Sequence, residues 1–84
     1  MVIKIFWQER CPNCPPAKRV GEALAAEGYP VEYHDVKDIS GLTQAIKFAI
    51  KATPSIVIAD PADKEIKSWR AIIPSLDEVK GAIW

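Results

Sequence analysis

Cys11 and Cys14 are the only cysteines of this 84-residue chain, and they sit together in Arg10-Cys11-Pro12-Asn13-Cys14-Pro15-Pro16. Thiols at that spacing on one turn close a small disulfide ring with little chain movement, and another thiol can open it again. So short a loop removes little unfolded-state entropy, so the pair suits electron exchange with other dithiols better than stapling a fold. Cys11 comes first, in a polar loop at a strand end and just ahead of a helix, whose N-terminus favours thiolate over thiol. Arg10 adds to this as a modulating charge, and Glu9 opposes it. Cys11 is therefore the expected attacking thiol, and Cys14, one turn deeper, the resolving one. The Cys11 thiolate would attack a target disulfide, and Cys14 would resolve the mixed disulfide that results.

Other chemistries stay open for the same pair. Two thiols could be half of a metal site, but structural zinc wants four protein ligands and the chain adds only His34, on a predicted strand. Such a site would have to be shared between two chains. The pair could also be buried apolar thiols in a redox-silent interaction module.

Length and composition narrow the field. Residues 1–84 are expected to form a single domain, and with 49% apolar residues it must be held by packing rather than by a dense disulfide framework. Eleven basic and eleven acidic residues give no net charge, so neither nucleic acid nor an anionic membrane is an expected partner. The apolar start, Met1 to Trp7, is too short and too soon charged for a signal peptide, and nothing approaches a membrane span. A reducing cytoplasm is the expected compartment, a monomer the expected state, and no bound cofactor is expected.

The elements that must position the pair follow from periodicity. Val2 to Trp7 reads as a mostly buried strand broken by Lys4. From Ala17 the pattern turns helical, with Ala17, Val20, Leu24 and Gly28 on one face and a stop at Gly28 and Pro30. Pro15 and Pro16 each push the preceding residue away from αR, so regular helix is expected only near Pro16, with Asn13 or Cys14 as cap. Pro12 suits a first helical position but removes a backbone donor. Val31 to Val36 reads as a strand parallel to the first. Ile39, Leu42, Ile46, Ala49 and Ile50 recur at helical spacing after a cap at Asp38 or Ser40. Thr53-Pro54 breaks that helix before a buried run, Ser55 to Ala59. Asp60-Pro61-Ala62-Asp63 is turn chemistry, and Lys64 to Trp69 suits an antiparallel edge strand. Ser75-Leu76-Asp77-Glu78 matches a capping box, with Leu76, Val79 and Ile83 facing in. Trp7, Trp69 and Trp84 read as packing residues, Trp84 over the sheet edge. Lys18 and Arg19 read as the solvated face of the first helix.

The order β-α-β-α-β-β-α, Cys11-Pro12-Asn13-Cys14 after the first strand and Thr53-Pro54 before the third resemble the thioredoxin fold in its short glutaredoxin-like form. Cys14-Pro15-Pro16-Ala17-Lys18-Arg19 is similar to the glutaredoxin-like electron donors of ribonucleotide reductase, whose second cysteine is also soon followed by Lys-Arg. The resemblance implies an α/β fold with a mixed sheet in strand order 2-1-3-4 flanked by three helices, and a cis Thr53-Pro54 bond. Pro12, Asn13, Thr53 and Pro54 would then contact substrate, the Thr53 backbone pairing with a bound peptide. Departures from glutaredoxins argue against a glutathione site: Asn13 replaces a tyrosine, Gln8 a lysine, and Ala71-Ile72-Ile73-Pro74-Ser75 a Gly-Gly segment. Ile72-Ile73 looks instead like an apolar rim for a protein. Nor does the first strand carry an acidic residue as a buried proton acceptor.

The expected function is a dithiol-disulfide oxidoreductase that reduces protein disulfides. Its reducing equivalents would come from a thioredoxin-reductase-type flavoenzyme and NADPH. The rival within the same chemistry is a glutathione-dependent glutaredoxin.

Overall fold

A computed structural model describes residues 1–83; Trp84, and with it the expected cover of the sheet edge, lies outside the described residues. The central strand β1 (Val2–Trp7) pairs in parallel with β2 (Val31–Asp35) and antiparallel with β3 (Ser55–Ala59), and β4 (Glu65–Arg70) closes the far edge against β3. The strand order is β2-β1-β3-β4, the order the resemblance implied. Helices α1 (Cys14–Ala26), α2 (Ile39–Lys47) and α3 (Leu76–Ala82) complete the layers.

Side-chain alternation along β1 splits the core in two. Ile3 and Ile5 join Ile56, Ile58 and Trp69 beneath α1 and α3, which contribute Ala17, Leu24 and Val79. Phe6 and Val57 point the other way and meet Ala45 and Phe48 on the side of α2. Burial of each large side chain of this kind contributes about 1.5–3 kcal/mol. Every residue of β3 is buried, as its continuous apolar run requires of a strand covered on both faces.

Lys4 shares the α2 face with Phe6, and at 5% exposure it is a buried cation. Its Nζ donates to Gln44 Oε1 at 2.9 Å and lies 3.3 Å from carboxylate oxygens of Glu32 and Asp63, so the charge is paired rather than stranded. Lys47 also pairs with Asp63. Glu32 feels burial, which pushes its carboxyl up. The His34 hydrogen bond and Lys4 outweigh that and hold it below the ordinary range. The Lys47 hydrogen bond, against some burial and with Lys4 in support, holds Asp63 low as well.

The end of α1 and the start of α3 follow the expected chemistry, whereas Asp38 stands at the N-cap of α2 without a side-chain cap bond. Gly28, at φ 94°, closes α1 in a Schellman motif, with its N–H on Ala25 O and Tyr29 N–H on Leu24 O. Ser75 and Glu78 cap α3 reciprocally. The start of α1 differs from expectation: the helix begins at Cys14, with Asn13 as N-cap, and takes in both prolines. Proline is tolerated there because first-turn N–H groups have no intrahelical acceptor to lose.

The face of α2 also differs. Ile39 and Ile46 are 88% and 71% exposed, and the helix packs through Gly41 and Ala45. A Cβ on Gly41 would lie 1.8 Å from Asp35 O, so the helix sits directly on the end of β2 and turns its isoleucines outward. It ends at Lys47, leaving Ala49, at φ 54°, and Ile50 in the return to β3. No helix of the described residues is long and apolar enough to cross a membrane.

Candidate active site

The loop after β1 is bent by Arg10, whose φ of 61° is uncommon for a residue with a side chain. That turn delivers Cys11 beside the first residue of α1. Cys14 N–H donates to Cys11 O at 3.2 Å, and a disulfide joins the two cysteines with their Cα atoms 5.3 Å apart. The two sulfurs are not equivalent. Cys14 is 2% exposed, whereas Cys11 is only partly covered. Pro12 and Asn13, between them, are exposed.

Around the pair the backbone is poor in free donors. Cys14 N–H is engaged by Cys11, Ala17 N–H reaches back to Asn13 O at 3.4 Å, and Pro12, Pro15 and Pro16 have none to offer. Positive charge therefore has to come from the α1 dipole and from cationic side chains. Lys18, one turn beyond Cys14, holds its Nζ 3.4 Å from the ring centroid of Trp7 at the end of β1. Helical side chains lean toward the N-terminus, so Lys18 leans toward the cysteine end. The Trp7 ring is half-buried packing, as expected, but its Nε1 is covered and finds no partner among the described residues.

The β1–β3 ladder brings the second expected segment to the same end. Phe6 faces Ser55, and continuing that register puts Gln8 opposite Thr53. Gln8 Nε2 donates to Thr53 Oγ1 at 2.9 Å. The Thr53-Pro54 bond is cis, as the resemblance implied, and Pro54 itself is buried. Pro54 O accepts from Ala71 N–H at 2.9 Å, which draws the segment after β4 alongside. Ile72 and Ile73 of that segment are 58% and 38% exposed, an apolar rim where the sequence placed one. On the α2 side, a pocket of about 220 Å³ is lined by Gln8, Thr53 and Lys51 with apolar Val36, Leu42 and Ile50.

All the expected positions thus lie at one end of the sheet: Arg10, Cys11, Pro12 and Asn13 in the loop after β1, Cys14 at the start of α1, and Thr53 and Pro54 before β3. Sequence reasoning missed Gln8 as the tie between those loops. The only signal was its place two residues past the strand partner of Ser55. It also missed the contact of Lys18 with Trp7, which needs β1 and α1 docked. His34 pairs instead with other groups: it stacks on Phe6 at 5.3 Å and bonds Glu32 at 2.9 Å. Among the described residues no group of three His, Cys, Asp or Glu side chains is placed to share a metal ion.

Comparison with known proteins gives one answer. Residues 1–71 match the family described as "Thioredoxin domain". A protein of Archaeoglobus fulgidus named a probable thioredoxin is 36% identical over 61 residues, covering 71% of this chain and 67% of its own. A thioredoxin of Methanocaldococcus jannaschii is 41% identical over 59 residues, covering 67% of each chain. In three dimensions, thioredoxin 1 of Thermosipho africanus superposes with a TM-score of 0.76 at 24% identity, over 99% of this chain and 90% of its own.

Proposed function

Since this chain belongs to the thioredoxin-domain family of thiol-disulfide oxidoreductases, we propose that it reduces disulfides of other proteins, with Cys11 attacking and Cys14 resolving. The observation that carries this division of labour is the difference in access: Cys14 is sealed at 2% exposure while Cys11 meets solvent.

In the reduced protein the Cys11 thiolate attacks one sulfur of the target disulfide. A Cys11–target S–S bond forms, the target S–S bond breaks, and the other target sulfur leaves as thiolate and takes a proton from water. Cys14 then gives up its proton and attacks Cys11 Sγ. The Cys11–Cys14 bond forms, the mixed disulfide breaks, and the second target thiol departs. Two electrons pass to the target, and the oxidised pair is the disulfide described above. The α1 N-terminus and Arg10 favour the attacking thiolate. Pro12, Asn13, Thr53 and Pro54 line the approach to Cys11 and contact the target chain.

We further propose that the pair is re-reduced by a thioredoxin-reductase-type flavoenzyme drawing on NADPH, not by glutathione. Gln8 supports this: its amide is spent on Thr53, where the glutaredoxin pattern has a lysine. So does the Ala71-Ile72-Ile73 segment, which offers apolar side chains where that pattern has glycines. In this reading residues 1–84 work as one domain, as a monomer, in the cytoplasm and without a bound cofactor. The test is reduction of insulin disulfides by the whole chain with two regenerating systems. NADPH with a thioredoxin reductase should sustain turnover, and glutathione with glutathione reductase should not. Turnover with glutathione alone would reverse the assignment of the reductant, and reduction of insulin by neither, with the prereduced protein also inert, would end the oxidoreductase proposal.

A further inference from the structure

Formal neutrality hides an uneven distribution of charge. Several cations are matched by carboxylates: Lys4 by Glu32 and Asp63, Lys47 by Asp63, Arg70 by Glu65 and Lys80 by Glu27. Among the described residues Lys37, Lys64 and Lys67 have no such match, and neither do the cations around the disulfide. Arg10 precedes Cys11, Lys18 lies over Trp7, Arg19 follows it on α1, and Lys51 lines the pocket beside Gln8 and Thr53. None of these four meets a carboxylate within ion-pair distance among the described residues; the acids of the same segments are Glu9 and, further along α1, Glu22, whose charge acts on Tyr33. Asp35 and Asp38 stand at the β2 side of this end, but Lys37 lies between them and its N–H occupies Asp35 Oδ1. Lys18 is held by an indole face rather than by an acid, so its position is fixed while its charge stays available.

We propose that the partner protein presents an acidic surface around its own cysteines, and that Arg10, Lys18 and Lys51 receive it. This rests on the reading of Cys11 as a nucleophile toward protein disulfides and names the class of target. Lys18 lies on the α1 side of the sheet and Lys51 on the α2 side, with Arg10 in the turn before Cys11, so cations flank this end on both faces. An acidic partner is drawn to the face that holds the sulfurs. A basic one meets like charge there. Charge of this kind sets encounter rate and partner choice more than final affinity.

The test uses the full chain in its reduced form and three synthetic peptides with the same disulfide loop, flanked by glutamates, serines or lysines. At an ionic strength of about 20 mM the glutamate peptide should be reduced about tenfold faster than the serine peptide, and the lysine peptide slowest. At about 0.5 M salt the spread should close, because charges beyond a few ångströms are then screened. Lys51→Glu and Lys18→Gln should each cut the glutamate-to-serine ratio about two- to threefold, and Lys67→Glu, out on β4, should leave that ratio as it is. Equal rates on the three peptides at low salt would overturn the acidic partner and leave the dithiol reading standing. So would a loss of preference in Lys67→Glu as large as in Lys51→Glu. No reduction of any peptide would overturn both.

Discussion

Gln8 Nε2 donates to Thr53 Oγ1 across the end of the sheet at 2.9 Å, tying the loop that carries the cysteines to the segment that carries the cis proline. The two residues are 45 positions apart, yet each stands two residues beyond a β1–β3 ladder pair. Replacing Gln8 by Ala loses one partly buried hydrogen bond, which costs about 1 kcal/mol of stability. The larger effect should fall on function. KM for a protein disulfide should rise about three- to tenfold, while alkylation of Cys11 by iodoacetamide keeps its rate. An alkylation rate that falls together with activity would show that Gln8 acts on the thiol and not on the approach to it.

Cys14→Ser should capture target proteins as stable mixed disulfides through Cys11, visible as bands on non-reducing gels that dithiothreitol dissolves. Cys11→Ser should capture none, because its remaining sulfur is 2% exposed. Equal trapping by both variants would reverse or erase the assigned roles.

Lys4 gives a pair of opposed outcomes. Lys4→Met keeps the buried stem and removes the charge, and its stability should stay within about 1–2 kcal/mol of the parent in urea unfolding. Lys4→Glu sets a third carboxylate against Glu32 and Asp63 in a buried place and should cost about 3–5 kcal/mol or prevent folding.

The same cluster sets an acid limit. Glu32 and Asp63 are held below the ordinary carboxylate range in the folded chain, so the unfolded chain binds protons first as pH falls. Their contribution is complete above the unfolded value and is lost as pH drops through the folded one. The unfolding midpoint should therefore fall as pH drops from about 5 through and below the ordinary carboxylate range, and Lys4→Met should flatten that fall. Parallel acid slopes for parent and variant would show that Lys4 does not hold these carboxylates down.

Two glycines separate close packing from helix propensity. Gly41→Ala must move the end of β2, since the new Cβ would lie 1.8 Å from Asp35 O, and it should cost about 2–4 kcal/mol. Gly81→Ala, in α3 with nothing within 4 Å of the added atom, should raise stability by about 0.5–1 kcal/mol. Thermal unfolding of both variants decides it.

Particular residues show what the linear chain could reveal. Strands β1 and β3 were legible to the residue because a continuous apolar run bounded by breakers has one reading, and the Ser75–Glu78 box announced α3. The cysteine pair was legible because residue type and spacing alone carry its chemistry. The start of α1 was misread because the rule against helical residues before proline ignores how little a first turn loses by taking them in. The outward isoleucines of α2 could not be foreseen, since periodicity does not register that Gly41 lets a helix rest on the Asp35 carbonyl. Lys4 looked like an interruption because its partners come from β2, α2 and the turn before β4.

The sheet divides the interior into a larger half under α1 and α3 and a smaller half under α2. Helix α2 has nine residues, no side-chain bond at its cap and two isoleucines in solvent. It therefore has less to lose by detaching than α1, while the β1–β3 pair stays folded. Its amides should exchange with deuterium well ahead of those in β1 and β3, and a protease added to the native chain should make its first cut there.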